Sequence, residues 1–594
     1  MKIYKYKTLA CIALLSLGLS SCSDYLDQPA KDNYNVSNFY QNDEQCRQGV
    51  DPIYNSPWYD FQRGFFKVGE VLSGNYYWGS SPYLTFTLTG SDADLANMSA
   101  SLWSVNAYCN TVYDNINNSS GPSEAVKNYC KGECLTWKAM AYFYLVRTFG
   151  AVPIIHNNTD EIGAGTYNDK YKANIEDIYD YIVMTLKRAI ELLPAKDATG
   201  KGRLDKYSAE GLLAKVYLTK SGFSASNTKY TSGSYSYIET TAHARNTEDL
   251  ANAAKYAKDV IDNSGRTLMS SYADIFRMKN NVSDEALISW AWSAASSHWT
   301  CQNTLQSDLA ISGFDEFGDC WGGYAGPSVD LQDAFGENAL SPTRNNTDDR
   351  RKATMMMAGD KYEYFYTDND GFDYLKFIYG GYTTHTGPGE YQSPTGANEV
   401  KHLYGDAADH LAALGVSASN MHSGLYTHIL RLADVYLIYA EAVLGDNAST
   451  SDANAIDAFY KVRSRSVKSY SKPASLTFAD IWKERRLELA CEGDRWYDYI
   501  RLFYFNPDMA INELTNQRRD VYYSLNVPYK SFYEAGEKGS FTYDANTTRY
   551  NTDAVKPSVT AKSFTIPLPS SDISYNSHLS EDPQHVDITQ YTYK

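Results

Sequence analysis

The stretch Ile481-Trp-Lys-Glu-Arg-Arg-Leu-Glu-Leu-Ala-Cys491-Glu-Gly-Asp-Arg-Trp-Tyr-Asp-Tyr-Ile-Arg-Leu502 decides how the chain is read. Its apolar residues keep helical spacing, and a helix is expected over Ile481–Arg501. Glu484 and Glu488 are four residues apart, so they share one helix face with arginines beside them. Paired carboxylates raise the question of glycoside hydrolysis. That chemistry needs two carboxyl groups facing each other across a cleft, at roughly 5–9 Å, and one solvated helix face does not provide it. An ion-pair network that locks helices together fits Glu484, Arg485, Glu488, Glu492, Asp494 and Arg495 better.

Other segments are apolar almost all round, the pattern of helices buried between neighbours. Leu135 to Phe149 is the clearest, stopped by Gly150 and Pro153. Asn174 to Leu193 keeps the same period, and a helix is expected to start at Ser208 as N-cap. Further helices are expected over Leu250–Asn263, Ile429–Leu444 and Ala453–Ser466. On the helix at 429–444, Arg431, Asp434 and Glu441 form a narrow charged stripe. Between the helical blocks, residues 264–426 are rich in Gly, Asn, Asp, Tyr and Trp, with a short strand expected near Ala286–Trp292 and an aromatic loop over Phe314–Ser328. Long irregular loops of this kind usually carry function.

The amino terminus sets the compartment. Lys2, Lys5 and Lys7 precede an apolar run from Leu9 to Leu19 that is too short to span a bilayer, and Leu19-Ser-Ser-Cys22 follows. Residues 1–21 read as a lipoprotein export signal, with Cys22 the lipidated first residue of the mature chain. Removing that signal takes three lysines with it and moves the net charge from −17 to −20. So acidic a surface repels phosphate and anionic headgroups, which argues against nucleic-acid binding and leaves membrane attachment to the lipid and a partner. Cys11 leaves with the signal, and the seven cysteines remaining after Cys22 show no metal-type spacing.

Four further blocks extend the pattern of the opening stretch. They are Gly132-Glu-Cys-Leu-Thr-Trp-Lys-Ala-Met-Ala-Tyr-Phe-Tyr-Leu-Val-Arg-Thr-Phe-Gly150 with Val152-Pro153, Tyr207 to Leu218, Leu430 to Ala442, and Ile566-Pro-Leu-Pro569. Together with the lipobox, they resemble the SusD/RagB family over nearly the whole chain. Two departures stand out: Asp494 where the family often has His, and Asn576-Ser-His-Leu-Ser-Glu in place of a Gln-Asn ending. The resemblance implies a mainly α fold, in which tetratricopeptide-like helix pairs support a loop-rich half with short strands. It divides the mature chain into a helical region, 22–263, and a ligand-binding region, 264–594, packed as one globular unit. It also implies a surface-exposed outer-membrane lipoprotein that is not an enzyme and hands an oligosaccharide to a TonB-dependent SusC-like transporter. The RagB branch of the family implies peptide as the alternative cargo.

Ligand contacts are expected from exposed rings beside short polar groups, because a sugar offers a C–H face to a ring and hydroxyl edges to amides and charges. Aromatic residues make up 14% of the chain, with 52 Tyr and 10 Trp, and most must pack the core. Asn75, Tyr76, Tyr77 and Trp78 in a Gly-flanked loop, with Trp299, Trp321 and Tyr324 in the central loops, are the candidates. No cofactor is implied. Asp368-Asn-Asp-Gly-Phe-Asp373 fails as an EF-hand, since aligning Gly371 places Tyr366 first and Phe377 at the bidentate position. A calcium ion held by loops distant in sequence stays open.

Overall fold

Ser123 accepts a hydrogen bond from the Val126 amide and caps a helix that runs Glu124–Phe149, starting well before Leu135. Almost every residue from Val126 onward is buried, Lys138 and Arg147 included, so this helix lies at the centre of the fold. Gly150, at φ 73°, ends it. The computed structural model describes residues 39–593 apart from 80, 197–199, 225–227, 232–233, 238–241, 297, 539, 544–548 and 551–556. The export segment 1–21 and Cys22 lie outside the described residues.

The frame consists of α1 Asp43–Val50, α2 Phe61–Phe66, α3 Ala93–Asn118, α4 Glu124–Phe149, α5 Ile175–Leu192, α6 Lys206–Lys220, α7 Thr247–Asn263, α8 Leu432–Leu444, α9 Ala453–Ser466, α10 Phe478–Glu488 and α11 Arg495–Phe505. From α3 to α9 each helix packs on its successor, giving a stack of helix hairpins of the tetratricopeptide kind. Short antiparallel pairs stitch the loop-rich half to this frame. β1 Tyr76–Tyr77 pairs with β3 Gly326–Pro327, and β2 Ala286–Trp290 pairs with β4 Thr427–Arg431. One hydrophobic core runs from Tyr40 to Ile566 through both halves. No helix among the described residues is long and apolar enough to cross a membrane.

Three sequence expectations need correction. Ser208 is not the N-cap of α6: Asp205 is, and Ser208 sits at the third helical position, where the two form a reciprocal capping box. Residues 429–431 are strand rather than helix, because β4 finds a partner in β2 and the helix begins only at Leu432. The segment 481–501 is two helices, broken between Glu488 and Arg495, where Cys491 (φ 63°) and Gly493 (φ 74°) adopt left-handed backbone. The fully buried Glu70 holds this break, accepting a hydrogen bond from the Gly493 amide at 2.7 Å.

The charges of α10 are not solvated either. Glu484 and Glu488 are completely buried. Glu488 accepts from Arg431 at 3.0 Å and Arg350 at 3.2 Å, and also from Arg465. Glu492 takes Arg431 at 2.7 Å and Lys401 at 2.8 Å, while Glu285 on the turn into β2 binds Arg431 and Arg465, each at 2.7 Å. On the other side of α10, Arg485 binds Asp434 at 2.6 Å and Asp498 at 3.0 Å, and Lys215 bridges Asp434 and Asp494. The stripe Arg431, Asp434 and Glu441 therefore belongs to inter-element ion pairs, with Arg431 on β4.

Burial alone would raise the Glu488 pKa, but Arg465, Arg431 and Arg350 outweigh it and hold the carboxyl at about 2, against an ordinary 4.5. A carboxyl depressed in the folded state stabilises fully above its unfolded value, and the contribution is lost as pH falls from about 4.5 toward 2. Glu488→Gln leaves buried guanidinium groups uncompensated and is expected to cost about 3–5 kcal/mol at pH 7. Denaturant unfolding at pH 6 and pH 3 should show wild type losing about 2 kcal/mol more than Glu488→Gln over that interval.

Candidate functional site

The backbone is helical at Tyr59 and Asp60 and through α2, which continues as a π-turn over Lys67–Val71. Tyr59, Arg63 and Lys67 therefore recur every four residues along one face, a row about 12 Å long at 1.5 Å per residue. The opposite face is buried. Phe61 and Phe65 pack on Trp290 with ring centroids 5.6 and 5.0 Å away, and Phe61 also meets Tyr144 at 4.9 Å. Edge and tilted ring contacts of this kind fix the helix firmly against α4 and β2.

Close backbone approaches complete the mounting. A Cβ at Gly69 would fall 2.2 Å from the Gly493 carbonyl oxygen, and one at Gly493 would strike the Phe65 ring at 2.2 Å. The π-turn is thus pressed directly onto the break between α10 and α11. Arg519, buried and with no ion pair among the described residues, donates to the Val71 and Leu72 carbonyls at 2.8 and 2.7 Å and so satisfies acceptors that end the turn.

Exposed rings stand beside the outer row. Trp299, 56% exposed, meets Tyr59 edge to face at 4.9 Å. Trp321, 48% exposed, donates from its indole nitrogen to Asp308 at 2.8 Å, and Asp308 also binds Arg63. Trp78, half-buried, lies under the Lys67 ammonium at 5.2 Å, and Lys67 pairs with Asp94. Tyr324, 62% exposed, shares a tight turn with Trp321 and donates to Glu390 at 3.2 Å. Gly322 and Gly323 permit that turn, because a Cβ on either would collide with the Asp308 carbonyl or the Gln392 amide.

Of the seven residues singled out in the sequence, Trp78, Trp299, Trp321 and Tyr324 line this strip. Asn75, Tyr76 and Tyr77 do not. The Asn75 amide is fully buried, donating to Glu70 at 3.0 Å and accepting from Arg486 at 2.9 Å. Tyr76 packs edge to face on Phe66 at 4.8 Å, and Tyr77 lies buried against Tyr522 at 5.8 Å. All three face inward: Tyr76 and Tyr77 form β1, Asn75 precedes it, and the pairing of β1 with β3 brings Trp78 toward the 321–325 turn. Sequence reasoning missed Tyr59, Arg63, Lys67 and Asp308. The four-residue spacing of the first three was the available signal.

Among the described residues, Asp315, Asp319 and Cys320 are the group close enough to share a cation. Asp315 already accepts from Gln306 at 3.0 Å and from the Cys320 thiol at 3.2 Å, and Asp319 accepts from the Met421 amide at 2.6 Å. Burial, followed by the neighbouring Asp315, pushes Asp319 up to about 6. The cluster reads as a hydrogen-bonded clamp under the 315–321 loop. The carboxylates of the signature helix are each held by guanidinium or ammonium groups inside the core and face no cleft.

Gly493→Ala would place a methyl group in the Phe65 ring at a left-handed position. It is expected to destabilise by roughly 2 kcal/mol or more in thermal unfolding. Tyr76→Phe removes a buried hydroxyl that has no hydrogen-bond partner among the described residues and should leave stability unchanged within about 1 kcal/mol.

The profile described as "SusD family" matches residues 218–585, and that described as "Starch-binding associating with outer membrane" matches 24–218. A SusD-like protein of Bacteroides ovatus is 32% identical, with 98% of this chain and 99% of that protein covered. A crystal structure described as holding xylogluco-oligosaccharide superposes with a TM-score of 0.73 at 29% identity, covering 91% of this chain and 99% of that one. Surface glycan-binding protein A of Bacteroides thetaiotaomicron, solved with laminarihexaose, shares the fold with a TM-score of 0.60 at 17% identity over 90% of this chain and 97% of that one. With this architecture, and with both profiles matching in order along it, the chain belongs to the SusD family.

Proposed function

We propose that the protein captures an oligosaccharide at the outer surface of a bacterium, on the strip formed by Trp78, Trp299, Trp321 and Tyr324, and passes it to a TonB-dependent SusC-like transporter without chemical change. The observation that carries this reading is a set of rings, three of them exposed and Trp78 half-buried, standing beside the Tyr59, Arg63 and Lys67 face of a helix packed firmly on the core. Rings supply area for sugar faces, while Arg63, Lys67 and Glu390 supply donors and acceptors for hydroxyls. Xylogluco-oligosaccharide in a 29%-identical structure supports a neutral glucan as the class to try first. A lipid on Cys22 would hold the chain at the outer membrane, in keeping with the family description.

Stacking contacts contribute about 0.5–1.5 kcal/mol each. Three or four of them with a few hydrogen bonds give roughly micromolar to millimolar affinity, weak enough to release cargo to a transporter. Calorimetry against xylogluco-oligosaccharide, laminarihexaose and a mixed peptide panel tests the reading. Binding to an oligosaccharide, weakened about two- to tenfold by Trp299→Ala with no release of reducing ends, is expected. Binding to peptides alone would replace glycan with peptide cargo, and reducing-sugar release by the purified protein would overturn the non-enzymatic assignment.

A further inference from the structure

Asp308 is 2% exposed, yet it organises two of the exposed groups on the strip. Its Oδ1 accepts from the Trp321 indole nitrogen at 2.8 Å and from Arg63 Nη2 at 2.5 Å, and its Oδ2 accepts from Arg63 Nε at 3.2 Å. The segment behind it is equally constrained. The Asp308 amide donates to the Thr304 carbonyl at 2.9 Å, and the Trp321 amide donates to the Ser307 carbonyl at 2.9 Å. A Cβ at Gly322 would fall 2.4 Å from the Asp308 carbonyl oxygen. An indole has one polar atom. With that atom committed to a buried carboxylate, Trp321 keeps its rings for contact while its rotation is restrained.

The same carboxylate sets the charge of the surface. Arg63, with a side chain 45% exposed, uses Nε and Nη2 on Asp308 and has no protein partner for Nη1 among the described residues. Lys67 is matched by Asp94 at 2.5 Å, and Tyr324 stands next to Glu390. The cations of the strip are therefore each neutralised by a carboxylate of the protein. A ligand carboxylate would find no free counter-charge here, and it would approach a protein of strongly negative net charge.

We propose that Arg63, Asp308 and Trp321 form one recognition unit for an uncharged sugar residue. Trp321 takes the C–H face, Arg63 Nη1 donates to ring hydroxyls, and Asp308 acts as a positioning residue that does not touch the ligand. This unit selects neutral oligosaccharides over uronate-containing ones. The inference rests on the oligosaccharide reading above.

The test is calorimetry on the whole mature chain, with a neutral xylogluco-oligosaccharide and an oligogalacturonate of similar length. Wild type is expected to bind the neutral ligand at least tenfold more tightly. Asp308→Ala should weaken neutral binding about fivefold and strengthen acidic binding, since it releases the Arg63 charge. Asp308→Asn keeps an acceptor for the indole and should retain most of the neutral affinity. Trp321→Phe, which lacks the indole N–H, should add little further loss in an Asp308→Ala background, because the two share one interaction. Solvent exchange of the indole N–H provides a readout that needs no ligand: Trp321 should exchange more slowly than Trp299, and this protection should vanish in Asp308→Ala. Unchanged neutral affinity in folded Asp308→Ala, losses that simply multiply, or equally fast exchange of both indoles in wild type would each overturn the unit. A wild type that binds neither oligosaccharide overturns the capture reading itself, an outcome distinct from a wild type that binds and an Asp308 variant that matches it.

Discussion

The fold depends on a set of charges removed from water. Glu484, Glu488 and Glu492 sit where desolvation would make an isolated carboxylate prohibitively costly, and Arg350, Arg431, Arg465 and Lys401 make their burial tolerable. The partners come from different places: the first turn of the short helix Asp349–Thr354, the end of β4, the last turn of α9, and the segment after Glu399. Each guanidinium reaches two or more carboxylates, so no partner can leave without stranding others. Apolar packing would tolerate small slips between these elements. Bidentate ion pairs at fixed distance do not, and the cost of misalignment gives the frame a single register.

That rigidity is transmitted to the binding face over a short path. The break between α10 and α11 exists because Glu70 holds the Gly493 amide and because Gly493 fits against Phe65. The same contact fixes Gly69 and hence the π-turn that continues α2. Arg519 closes the turn from a distant part of the chain. The row Tyr59, Arg63 and Lys67 is therefore seated on the signature stretch itself, and the motif that marks the family also positions the surface proposed to meet cargo.

Much of the fold was legible because helical periodicity reports burial directly. α5, α7 and α9 lie within a few residues of their expected ends, α4 stops at Phe149 as expected but starts eleven residues before Leu135, and the alternation in Ala286–Trp290 marked a real strand. What periodicity cannot report is the partner across the interface. Residues 429–431 fit a helical pattern as well as a strand until β2 is seen beside them. Glu484 and Glu488 read as solvated because the side chains that neutralise them lie up to 138 residues away in sequence. In the candidate site, ring type singled out Trp78, Trp299, Trp321 and Tyr324, which reach the strip, but it singled out Tyr76 and Tyr77 equally, and these face the core with Asn75. Asp308 gave no signal in sequence, since its meaning lies in sharing one carboxylate between Arg63 and Trp321.

An aromatic content of 14% is now accounted for on both sides of α2. Inward, rings on Trp58, Phe61, Phe65, Tyr144 and Trp290 interlock at centroid distances between 4.9 and 6.5 Å. Outward, a few rings are left bare. Rigid mounting matters for weak binding in particular. When each contact is worth only about 1 kcal/mol, ordering a mobile side chain at about 0.5–1.5 kcal/mol would cancel it. Rings restrained by Asp308, Tyr59 and the 322–324 turn have that cost removed at folding, so modest contacts still give net binding. The affinity can then stay low enough for cargo to leave without the surface having to rearrange.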